Sequence, residues 1–108
     1  MPREKNQLNR ARARVFSALA DPLRLEIMEA LRGGERCACE VISRAEVAQP
    51  LVSRHLRILK DAGLVKDRKV RNKRMYSVTN PETYRAIDAV TPELVYALTR
   101  RVVKQMIY

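Results

Sequence analysis

Residues 49–65 read Gln-Pro-Leu-Val-Ser-Arg-His-Leu-Arg-Ile-Leu-Lys-Asp-Ala-Gly-Leu-Val. Val52, Leu56 and Leu59 recur at i, i+4 and i+7, the spacing that puts side chains on one face of an α-helix. Pro50 suits the first turn, where its missing N–H costs nothing, and Gly63 supplies the stop. With that stripe turned inward, a rotation of about 100° per residue turns Ser53, Arg54 and Arg57 outward. Such a helix is either a solvated face or a surface that reads something. The neighbouring segments decide.

Upstream, Val41–Val47 reads as a short helix and Ala48-Gln49-Pro50 as a tight turn. Downstream, Leu64-Val65 opens one extended segment and Arg74-Met75-Tyr76-Ser77-Val78 forms a second. Between them lie Arg71-Asn72-Lys73, where Asn72 tolerates the positive φ that a hairpin turn requires. Two helices across a tight turn, followed by a hairpin, make a winged helix-turn-helix. Its second helix enters a major groove, which makes Gln49, Ser53, Arg54 and Arg57 candidates for base or phosphate contact. His55 sits at the edge of the buried stripe, where packing competes with DNA contact, and ligation of a metal is the weaker reading. The hairpin from Lys66 to Arg74 holds six basic residues and one acid. That density suits phosphates or a minor groove, with Lys69, Arg71, Lys73 and Arg74 as the candidates.

The flanks read as helices. Residues 1–7 look like a frayed arm, and Leu8, Ala11, Val15 and Leu19 then recur at helical spacing up to Ala20. Asp21-Pro22 restarts the chain as a cap and first turn, Leu23, Ile27, Met28 and Leu31 line one face, and Gly33-Gly34 ends it. Asn80-Pro81 caps another helix, and Thr91-Pro92 caps a further one or kinks it. Leu94, Leu98, Val102 and Met106 recur every fourth residue, a stripe suited to a dimer face or to a monomer core. The expected fold class is mainly α with a small β-hairpin, in one domain over residues 1–108. Residues 1–20 form the arm and a dimer helix, 21–80 a DNA-binding core with its wing at 64–78, and 81–108 a C-terminal dimerisation region.

Charge agrees with this assignment. Among 108 residues, 22 are Lys or Arg and 12 are Asp or Glu, a formal net charge of +10. An excess of that size calls for a polyanion, double-stranded DNA before an anionic membrane surface. No apolar run is long enough to span a bilayer, and the polar start Met1–Gln7 lacks a signal core, so a cytoplasmic protein without a membrane partner is expected. A single His, no Gly-rich phosphate loop and no Cys-x-x-Cys pair argue against an enzyme. Aromatic residues at 5% are too few for stacking on single strands.

The two cysteines, Cys37 and Cys39, stand in Glu-Arg-Cys-Ala-Cys-Glu-Val at 35–41. A disulfide is the least expected role, because so small a ring strains the backbone. In an extended segment, side chains at i and i+2 share a side, so both sulfurs could meet one soft ion; in a helix they would diverge by about 200°. Arg36 beside them would favour thiolate and thus redox sensing. Packing as small apolar residues is the third reading.

Ala18-Leu-Ala-Asp-Pro-Leu-Arg-Leu25, the whole of 49–65, and Arg74–Val78 resemble the arsenic-repressor (ArsR/SmtB) family of transcription factors. The resemblance implies a homodimer that holds a palindromic operator and represses transcription until an inducer releases it. It also implies a dimer interface from the first and last helices, to which Leu8, Val15, Leu94, Leu98, Val102 and Met106 are assigned. Arsenic and cadmium sensors of the family carry a "CVC" motif at the matching place, so Cys37-Ala38-Cys39 implies an inducer such as As(III), Cd(II), Pb(II) or Zn(II), with no resident cofactor required. Two departures stand out. The third cysteine of some arsenic sensors falls on Ile42, and no cysteine occurs in residues 1–36. The family's second metal site lacks its His here, with only Asp88 and Glu93 in the region. A third ligand would have to be solvent, a small thiol or another residue, and the adjacent Glu40 is a poor match for arsenic.

Overall fold

Asp21 and Pro22 divide the N-terminal part of the chain into α1 (Pro2–Leu19) and α2 (Pro22–Ala30). The Asp21 carboxylate accepts the Leu23 N–H at 2.8 Å and the Arg24 N–H at 3.2 Å, capping α2 as expected. The computed structural model describes residues 2–45 and 48–107, with side chains from 4 to 43 and from 48 to 100. In it α1 starts at Pro2, so residues 2–7 are helical and not a frayed arm. Pro in the first turn and the acid Glu4 near the positive end of the helix dipole favour that start.

Beyond α2, Gly34 takes φ 129°, which an L side chain rarely adopts, and redirects the chain. The elements that follow are β1 (Arg36–Cys37), α3 (Ala38–Ala45), α4 (Gln49–Asp61), β2 (Val65–Val70), β3 (Lys73–Val78), α5 (Thr83–Asp88) and α6 (Pro92–Ile107). The helix expected from Val41 thus begins at Ala38, and Cys39 lies in its first turn instead of in an extended segment. The hairpin expected from sequence is the larger part of a three-stranded antiparallel sheet of order β1-β3-β2. β1 pairs Arg36 with Tyr76 and Cys37 with Met75. Two residues are too few to show a strand's alternation. The turn between Val70 and Lys73 carries its positive φ (57°) at Arg71, not at Asn72, because the first of the two central residues takes the left-handed conformation.

The core joins α2, α3, α4 and the base of the sheet. Val52, Leu56 and Leu59 are at most 1% exposed and meet Ile27, Met28, Leu31 and Val41. Burying each such side chain contributes roughly 1.5–3 kcal/mol. Tyr84 of α5 is anchored there, its hydroxyl donating to the Met28 carbonyl at 2.6 Å. Arg32 stacks 4.3 Å from that ring and makes a two-pronged pair with Asp88, at 2.9 and 2.8 Å. The Asn80 side chain accepts the Glu82 N–H, and Thr91 Oγ1 accepts the Leu94 N–H, so α5 and α6 are separate helices and not one kinked rod.

The terminal helices leave apolar surface uncovered at Leu8, Phe16, Leu94, Val95, Tyr96 and Leu98. Val15, assigned to the dimer face, is half-buried and packs partly against its own core, about one turn before Ala18 and Leu19. Val102 and Met106 lie outside the residues whose side chains are described. No helix among the described residues is long and apolar enough to cross a membrane.

Candidate nucleic-acid interface

Because α4 buries Val52, Leu56 and Leu59, Ser53, Arg54 and Arg57 face away from the core, and Gln49 lies exposed at the start of the helix. Arg57 is 84% exposed and only loosely held by Asp61 one turn on, at 4.0 Å. His55 is placed differently. It is half-buried, and Arg24 of α2 approaches its Nδ1 to 3.0 Å. Arg24 also donates to the carbonyls of Ala18, at 2.6 Å, and Ser17, at 3.3 Å, at the end of α1. One guanidinium thereby fixes the outward helix to the first helix.

The wing is fixed to α4 by its single acid. Asp67 is 9% exposed at its side chain and lies 2.9 Å from Lys60 of α4 and 3.2 Å from Arg74 of β3. Its hydrogen bond from Lys60, aided by Arg74, holds the carboxyl below its ordinary range against the opposing effect of burial. Arg68 is likewise engaged, donating twice to Glu35 at 2.7 Å and holding that carboxyl low. Among the described residues, Lys69, Arg71 and Lys73 make no ion pair. Of the six wing cations, Arg68 and Arg74 therefore brace the fold, Lys69, Arg71 and Lys73 at the tip are available to a partner, and Lys66 lies exposed at the base.

Cys37 ends β1 and Cys39 follows in the first turn of α3. The bend at Ala38 brings their Cα atoms to 5.2 Å, within disulfide reach, whereas two extended residues span about 6.6 Å. The two sulfurs lie side by side at the junction of β1 and α3. Cys37 Sγ also accepts the Cys39 N–H at 3.0 Å and so caps α3. Arg36 does not serve the sulfurs: its guanidinium donates to the Ala30 carbonyl at 2.7 Å and to Glu40 at 3.2 Å. Among the described residues, no His, Cys, Asp or Glu completes a metal-holding group of three. The donor set fits a soft ion by type and falls short by number. A cleft of about 420 Å³ has the cysteines and Ile42 on one wall, Gln49 on another and Asn72, Lys73 and Arg74 on the third.

Residues 21–67 match the sequence profile described as "Bacterial regulatory protein, arsR family". The chain carries an arsR-family domain over these residues. Over 66 residues, 61% of its length, it is 41% identical to the arsenical resistance operon repressor of Staphylococcus xylosus. Over 69 residues, 64% of its length, it is 45% identical to the Streptomyces lividans protein named "Probable mercury resistance operon repressor". Those matches span 64% and 55% of the two relatives' own lengths. In structure it is similar to a homodimeric winged helix-turn-helix DNA-binding domain from Mycobacterium bovis, described as a possible ArsR-family transcriptional regulator. The TM-score is 0.75 and the identity 28%, with 89% of each chain covered.

In this arsR-family domain and its wing, the structure brings Gln49, Lys73 and Arg74 to one cleft and leaves Ser53, Arg54 and Arg57 exposed on α4. It turns His55 toward Arg24. Sequence reasoning missed Arg24, Lys60 and Phe16. A lone acid inside a basic hairpin was the available signal for the Lys60–Asp67 link. Arg24 and Phe16 had none, since contacts 31 residues apart and a bare aromatic on a helix carry no local pattern.

Proposed function

We propose that this chain is a sequence-specific, double-stranded-DNA-binding transcriptional repressor that acts as a homodimer, with operator affinity governed by Cys37 and Cys39. One observation carries the reading: the first residue of α4 and the cationic wing tip line the same cleft, so a groove-reading helix and a phosphate-gripping loop can engage one duplex together. The net charge of +10 supplies attraction that DNA binding would convert into salt dependence. Uncovered apolar side chains on α1 and α6, Phe16 at 61% and Leu98 at 67% exposure, suit a second copy of the chain.

The cysteine pair is proposed to receive a thiophilic metal or metalloid, As(III), Cd(II) or Pb(II), whose binding pulls on α3 and, through β1, on wing strand β3. The convergence of the two sulfurs and the arsenical and mercury resistance repressors among the relatives support this. Thiol redox sensing is the second reading, favoured by the closeness of the two sulfurs. Operator release by the reduced dimer across As(III), Cd(II), Zn(II), Pb(II) and an oxidant distinguishes them. The double variant Cys37→Ser, Cys39→Ser should keep its DNA affinity and lose every response. A double variant that still releases DNA like the parent removes the cysteines from control.

A further inference from the structure

We propose that Asp67 is a positioning residue that sets how selectively this chain binds DNA. Its carboxylate holds Lys60 of α4 and Arg74 of β3 together, which fixes the wing to the outward helix and keeps two cations from indiscriminate phosphate contact. The proposal rests on the reading that α4 and the wing engage one duplex, and it names the residue that governs their discrimination. Asp67 is the lone acid among residues 66–74, where six residues are basic. Burial alternates over the first three residues of β2, so Asp67 shares the inward side of Val65 while Lys66 between them is exposed. Its strand partner is Tyr76, and Arg74 lies two residues before Tyr76 on the same side of β3. Lys60 arrives from α4, one residue past the buried Leu59. The two carboxylate oxygens are divided between the cations: Oδ1 lies 2.9 Å from Lys60 Nζ, and Oδ2 lies 3.2 Å from Arg74 Nη1.

With its side chain 9% exposed, Asp67 is screened by water and salt less than an exposed acid would be. Lys60 and Arg74 are about half exposed, at 48% and 51%, so both stay within reach of a polyanion once released. Random DNA is held by cations that neutralise phosphates whatever the sequence. Lys69, Arg71 and Lys73 at the tip supply that grip, and two further cations would strengthen it equally on every duplex. Base reading gains nothing from them, so their release narrows the ratio of operator to random affinity. A wing untied from α4 also loses the fixed angle at which tip and helix meet the duplex together, which weakens operator binding alone. The carboxylate at this joint opposes both losses.

The test uses the full chain, duplexes tiled across its own promoter region, and scrambled duplexes of equal length and composition. Fluorescence anisotropy over a series of salt concentrations gives each affinity and its slope against log salt. Glu82→Gln removes the acid of another ion pair, with Arg85, and so controls for the gain of one charge. Asp67→Asn should bind scrambled DNA on the order of threefold more tightly than that control, with a slope steeper by about 0.9 for each phosphate newly neutralised. Its preference for the promoter duplex should fall severalfold. Lys60→Gln gives the sharper arm. It should leave the scrambled-DNA slope unchanged in the parent, where Asp67 occupies Lys60, and remove about 0.9 from it in the Asp67→Asn background. Circular dichroism establishes that each variant is folded. Should Asp67→Asn not fold, Lys60→Gln and Arg74→Gln in the parent decide: unchanged slopes support the proposal, and flattened slopes overturn it. Scrambled-DNA binding no different from the control, a promoter preference kept in Asp67→Asn, or equal slope losses from Lys60→Gln in both backgrounds would also overturn it. A parent that prefers no promoter duplex defeats the DNA-reading assignment and this proposal with it. A selective parent with an equally selective Asp67→Asn defeats only the role given to Asp67.

Discussion

Arg24 of α2 places its guanidinium 3.0 Å from Nδ1 of His55 on α4, and the same group donates to the Ala18 and Ser17 carbonyls at the end of α1. Arginine can only donate, so Nδ1 is the acceptor in this contact. Three elements therefore share one side chain, and the angle of the outward helix depends on it.

Arg24→Ala should lower stability by about 1–3 kcal/mol, because it strands the Ala18 carbonyl and Nδ1 in partly buried surroundings. Arg24→Lys should recover little, since one ammonium cannot serve the same spread of acceptors. Urea denaturation reads both. A parental midpoint in the alanine variant would mean that α1 and α4 are held by apolar packing alone.

Asp67 predicts a pH effect with a definite sign. Lys60 first, and Arg74 with it, hold its folded carboxyl below the ordinary 3.8. The unfolded chain then binds more protons in acid, so this contribution is present above about pH 4 and is lost as pH falls through the folded value. Asp67→Asn should be less stable than the parent at neutral pH, and the gap should close in acid. Thermal midpoints between pH 2 and 7 test this; parallel curves would show that the carboxylate adds nothing to the joint between helix and wing.

Arg54 projects from the exposed face of α4, and guanine offers two acceptors to such a group. Arg54→Ala should cost about 1–3 kcal/mol on the operator and much less on random DNA. Fluorescence anisotropy on both duplexes decides the matter. Equal losses would assign Arg54 to phosphates.

Lys69, Arg71 and Lys73 make no ion pair among the described residues, unlike Arg68 and Arg74. Replacing all three with Ala should flatten the slope of log affinity against log salt by about 0.9 for each phosphate no longer neutralised. Arg68→Ala should change the slope less, because Glu35 already neutralises it. An unaltered slope in the triple variant would take the wing tip off the DNA.

Much of the architecture was legible because it is written in short-range chemistry. The stripe Val52, Leu56 and Leu59, the Asp21-Pro22 restart and the Gly63 stop each depend on residues within a turn or two of one another, and each holds in the structure. The outward set Ser53, Arg54 and Arg57 followed from the same stripe by rotation alone. Where local signals were weak the reading slipped. Polar residues 2–7 carry no apolar period and are helical, and Arg71 takes the left-handed turn position that Asn72 suits by residue type.

The sequence by itself determined the helix pair, the basic hairpin and the presence of two thiols one residue apart, because these follow from periodicity, turn chemistry and count. Only the tertiary structure decided that β1 binds Cys37 to the wing strand, that the bend at Ala38 draws the sulfurs together, and that Asp67 and Arg24 brace α4 from two sides. Those relationships join residues far apart in the chain or turn on a single backbone bend. They arise from the packing of whole elements, which no local pattern of side chains encodes.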